Sequence, residues 1–136
     1  MRRPAFSFLF ALAMVGAVAI AAPSSLAASV NLQAMMERDA KEIEDRLKLE
    51  GEKLAKVDRI MREAVAKRMA VLREHNVTPG VRPPITTLIA VKTEMDKVAA
   101  ASDRELLKVL SGPEMQIVEE MAEHMRAKIR SIILGR

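Results

Sequence analysis

The sequence predicts an all-α fold of four helices joined as antiparallel hairpins in one small domain. Three observations support this. Val, Ile, Leu and Met fill 36 of the 109 positions from Ala28 to Arg136, well above the roughly one-fifth expected of disordered chains. These residues recur at three- and four-residue spacings, with no alternation of apolar and polar and no β-branched clusters between turn signals, as strands would require. Prolines and a glycine gather at Pro79, Gly80, Pro83 and Pro84, where a hairpin must turn.

The first stretch reads as an address rather than as part of that fold. Met1-Arg2-Arg3 is a positive lead, Phe6 to Ala22 is uncharged and apolar, and Pro23-Ser24-Ser25-Leu26-Ala27 places small residues where a signal peptidase cuts. Residues 1–27 are therefore expected to be a cleaved Sec signal peptide and residues 28–136 a single all-helical domain. An uncleaved anchor is the alternative, because an apolar run of about 17 residues meets the lower limit for crossing a bilayer. Export without any Cys points to the periplasm of a Gram-negative bacterium, or to the outside of another cell.

Helix one is expected from Asn31 to Leu47, with Asn31 as N-cap and Leu32, Met35, Met36, Ala40, Ile43 and Leu47 on one face. Helix two spans Gly51 to His75. At 100° per residue, Leu54, Val57, Ile60, Met61, Ala64, Val65, Met69, Val71 and Leu72 occupy an arc of about 180°. One neighbouring helix cannot cover so wide an arc, so a second helix, a second subunit or a client must share it. The segment from His75 to Pro84 cannot continue a helix, since proline lacks the N–H donor and restricts the residue before it.

Helix three begins near Pro84 and carries Ile85, Leu88, Ile89, Met95, Val98 and Ala99. Ser102 and Glu105 have capping-box spacing, which predicts a break or bend near Ala101 and a restart through Leu106, Leu107 and Leu110. A second capping signal, Ser111-Gly112-Pro113-Glu114, opens helix four, which runs to about Leu134 with Ile117, Val118, Met121, Met125, Ile129 and Ile132 as its stripe. Its acids precede its bases, which counters the helix dipole at both ends.

Composition excludes several functions. The chain has no Trp, Tyr or Cys, and its three Phe all lie within the first ten residues. The domain after Ala27 therefore has no stacking platform for single-stranded nucleic acid, no aromatic cage and no thiol chemistry. Its net charge is only +2, with acids and bases interleaved on almost every turn, so no basic stripe is available for nucleic acid. No Ser-His-acid set or Gly-rich phosphate loop is present, and the sequence reads as non-enzymatic, without a cofactor.

The openings of helices two and four are the most specific local features. Leu49, Glu50 and Lys53 in the first, and Leu110, Ser111 and Glu114 in the second, resemble the LTxxQ motif of the Spy/CpxP family of periplasmic helical proteins. Glu50 stands where that motif has its capping Thr, and Lys53 and Glu114 stand where it has Gln. The resemblance covers most of residues 30–134. It implies a thin, curved, antiparallel homodimer that holds unfolded clients without ATP or dampens an envelope-stress sensor. A related branch of the family contains zinc-resistance and heavy-metal-sensing proteins, which implies an alternative role in zinc or copper sensing. A third reading is a structural helical adaptor for one partner. Membrane association is expected only if the signal segment stays attached.

Eight methionines fall after Ala27, and a Met-rich apolar surface adapts to partners of many shapes. On helix two Arg68 projects inside the apolar arc, so Met61, Val65, Arg68, Met69 and Leu72 form the expected client- or partner-binding patch. A dimer seam would use the same residues. For metal, only His124 with Met121, Met125 and Glu120 makes a candidate set. His75 is better placed to cap the carboxyl end of helix two.

Overall fold

The computed structural model describes residues 23–134, with side chains from residue 31 onward. Residues 1–22 of the expected signal segment lie outside the described residues. Among the described residues there are four helices: α1 (Pro23–Leu47), α2 (Gly51–Glu74), α3 (Ile85–Leu107) and α4 (Gly112–Leu134). Among the described residues there is no strand, and no helix is long and apolar enough to cross a membrane. The all-α reading holds.

α2 packs against both α1 and α3, α1 also packs against α4, and α3 meets α4 only sparsely. The antiparallel order follows from which halves meet. One core cluster joins Leu32 and Met36 of α1, Val65, Met69 and Leu72 of α2, Val91 of α3 and Met125, Ile129 and Ile133 of α4. At the other end Ala40, Ile43 and Leu47 meet Val57, Met61, Leu106, Met115 and Val118. Each cluster takes the early half of α1 and α3 with the late half of α2 and α4, or the reverse. The wide arc on α2 is thus covered from two sides by α1 and α3 of the same chain.

Local chemistry accounts for the ends. α2 stops in a Schellman turn: Asn76 sits at φ +53°, the Val77 N–H donates to the Leu72 carbonyl at 2.9 Å and the Asn76 N–H to that of Arg73 at 3.1 Å. The proline loop is then pinned to the last turn of α4 by the Gly80 N–H on the Ile132 carbonyl at 3.0 Å. α4 begins in a reciprocal capping box. Glu114 accepts from the Ser111 N–H at 2.8 Å, and the Glu114 N–H donates to the Ser111 hydroxyl at 3.4 Å. At the start of α2, Glu50 is the N-cap but makes no side-chain capping bond.

Two local expectations fail. Asn31 is not an N-cap, because it lies inside α1, which already covers residues 23–30; Leu26, Ala27 and Ala28 are strong helix formers. Nor does α3 break near Ala101. The Ser102 hydroxyl donates to the Ala99 carbonyl at 3.0 Å instead of capping a new start, and the helix continues to place Leu106 in the core.

Candidate functional site

The residues expected to form a client-binding patch do not share a surface. Met61, Val65, Met69 and Leu72 are buried in the core, none more than 7% exposed. The covering helices come from the same chain, which is why a wide apolar arc did not mean an open one. Arg68 alone of the five reaches an opening.

That opening lies where α3 and α4 part. A groove of about 450 Å³ runs between them, with aliphatic walls from Leu88, Val91 and Met95 on α3 and Ile129 and Ile133 on α4. Arg68 rises from α2 into its floor. On the rim, the Lys92 ammonium donates to Asp96 at 2.8 Å, and Arg126 pairs with Glu123. Arg130 also lines the groove. Burial lowers the Arg68 pKa, the like charge of Arg126 lowers it further, and Asp103 partly offsets both. Among the described residues, no carboxylate lies within ion-pair distance of Arg68.

A second depression, of about 590 Å³, lies between α2 and α3. Lys56, Arg59, Lys67, Arg104 and Lys108 face it against Glu63 and Glu105, so the outer wall of the α2–α3 pair is cationic. One basic and one aliphatic groove therefore flank α3.

The six motif residues come together at one end of the molecule. Leu49 and Leu110 are both buried in the second core cluster. Lys53 of α2 donates to Glu114 of α4 at 2.8 Å, so the same carboxylate that caps α4 also ties it to the start of α2. The Lys53 hydrogen bond, then that from the Ser111 backbone, holds Glu114 well below the usual carboxylate range, at about 2. These residues act as structural clamps.

The candidate metal set does not converge. Met125 is buried in the core and Met121 is half-buried, whereas Glu120 and His124 are exposed. Among the described residues, no group of three or more His, Cys, Asp or Glu side chains is placed to hold an ion. His75 is the C-cap residue of α2 and its ring meets Glu94 of α3.

Two buried acids escaped the sequence reading. Asp39 is 8% exposed and pairs with Lys128 of α4 at 3.3 Å. Glu44 is 6% exposed, and its Oε1 has no hydrogen-bond partner among the described residues. Burial, followed by the neighbouring Asp58 charge, raises the Glu44 pKa to about 7. Their spacing carried a signal: Asp39 lies three after Met36 and four before Ile43, and Glu44 four after Ala40 and three before Leu47, both inside the apolar stripe.

Fold and groove together define an antiparallel four-helix protein with one aliphatic, arginine-floored seam. Comparison of the chain with protein-family models, with curated proteins and with solved structures finds no match.

Proposed function

We propose that this is a periplasmic, ATP-independent chaperone or envelope-stress adaptor that binds unfolded or partner proteins along the α3–α4 seam. The observation that supports it is the aliphatic seam between α3 and α4, where Leu88 and Met95 stay half-exposed over the buried Val91, Ile129 and Ile133, beside Arg68, Arg126 and Arg130. Half-exposed aliphatic side chains ringed by guanidinium groups suit loose capture of acidic, partly unfolded chains, and the absence of aromatic anchors disfavours tight recognition. The cationic α2–α3 depression adds long-range attraction for the same clients. A homodimer is part of this reading: Val81, Ile85 and Ile89 are each at least 60% exposed at the loop and first turns of α3, a second apolar strip open to a partner.

Light scattering of a reduced, unfolding client at low salt tests it. The protein, without nucleotide, should suppress aggregation at near-equimolar ratio, and the Leu88→Asp, Met95→Asp double variant should fold yet lose that activity. No suppression by the unmodified protein, or equal suppression by the variant, would sink it. The burial of the α2 arc favours a second reading, a structural adaptor with one dedicated partner. In that case a single stoichiometric protein would co-purify from a periplasmic extract.

A further inference from the structure

We propose that the α3–α4 groove is a binding site for a single-chain aliphatic carboxylate, with its carboxylate on Arg68 and its chain along the aliphatic walls. The inference does not rest on the chaperone reading, because a small amphiphile and a polypeptide can be tested separately at this seam.

Three features converge on that ligand. The groove sets aliphatic walls beside a rim of charged groups, so it matches an amphiphile rather than a sugar or a nucleotide. Arg68 stands half-buried at its floor with no carboxylate in ion-pair contact among the described residues, only the more distant charge of Asp103, so its guanidinium is left with donors to offer. Its planar fork fits a carboxylate through two parallel hydrogen bonds. A doubly charged phosphate suits the site less well. Asp96 and Glu123 already neutralise Lys92 and Arg126 on the rim, and both would repel the second negative charge.

The chain has no Trp or Tyr, so displacement of a dansyl-labelled undecanoate reads binding against a dark background. Dodecanoate, dodecan-1-ol and dodecyltrimethylammonium are compared below their micellar concentrations. We expect one equivalent of dodecanoate to bind at least about tenfold more tightly than either comparator. Arg68→Gln should reduce dodecanoate to the level of the alcohol, with helicity by circular dichroism unchanged. Met95→Glu, which places an acid in the half-exposed wall, should reverse the preference toward the ammonium amphiphile. Three results would overturn the proposal: equal binding of acid and alcohol, full affinity in Arg68→Gln, or uptake only of several equivalents near the micellar concentration. So would an acidic aliphatic peptide that saturates the seam and resists displacement by dodecanoate, which would assign the groove to polypeptide.

Discussion

Replacing Arg68 with Met should stabilise the fold while removing its capacity to hold a carboxylate. Arg68 is half-buried at the floor of the seam, and no described carboxylate pairs with it. A buried polar group without a partner costs about 1–3 kcal/mol, and the partial exposure of Arg68 puts its cost near 0.5–1.5 kcal/mol, roughly half of the fully enclosed case. Met keeps an unbranched stem against the same aliphatic walls and removes the charge. For a domain of this size each kcal/mol moves the melting temperature by about 4–5 °C, so the variant should melt about 2–8 °C higher. Far-UV circular dichroism melts at neutral pH, without ligand, read this directly. Dodecanoate should raise the melting temperature of the unmodified protein and leave that of Arg68→Met unchanged. A variant that melts at the same or a lower temperature would refute the reasoning, because the guanidinium would then be making stabilising contacts and would not be waiting for a ligand.

Glu44 should make stability fall as pH rises. Its folded pKa of about 7 exceeds the ordinary 4.5, so the native state holds the proton more tightly and its contribution, full below pH 4.5, is lost as pH climbs through 7. Glu44→Gln should therefore flatten the pH 5 to pH 8 difference in urea midpoint and gain about 1–3 kcal/mol at pH 8; an unchanged slope would contradict it. Glu114 acts in the opposite sense. Its depressed pKa contributes stability above the ordinary carboxylate value that disappears as pH falls toward 2. A double-mutant cycle of Lys53→Met and Glu114→Gln should show coupling of about 0.5–1 kcal/mol that shrinks in 1 M salt, the pair being partly exposed. Met69→Asp should unfold the protein outright, since it buries an unpaired carboxylate where the side chain is only 5% exposed; a folded variant by sedimentation and circular dichroism would show the core assignment to be wrong.

The helices were legible because their signals are local. Spacing alone placed α2, α4 and the hairpin turn, and the Ser111–Glu114 box formed as its residues imply. Local signals also misled. Ser102 had the right neighbours for a cap, but in a continuous helix its hydroxyl is satisfied by the Ala99 carbonyl. Arg68 was marked by its place inside the apolar arc of α2, and it does reach the seam. Its four companions do not, because periodicity reports that a face is apolar and not which helix covers it. The seam depends on how far α3 and α4 diverge, a relation between distant segments that neither stripe encodes.

Methyl NMR on protein labelled at its methionine methyls tests the seam most directly, because Met95 lines the groove while Met61 and Met69 lie in the core. On addition of an unfolded client, the Met95 methyl should shift and broaden while those of Met61 and Met69 stay in place. Shifts confined to Met61 and Met69, with Met95 unmoved, would contradict the account and return binding to an opened α2 face.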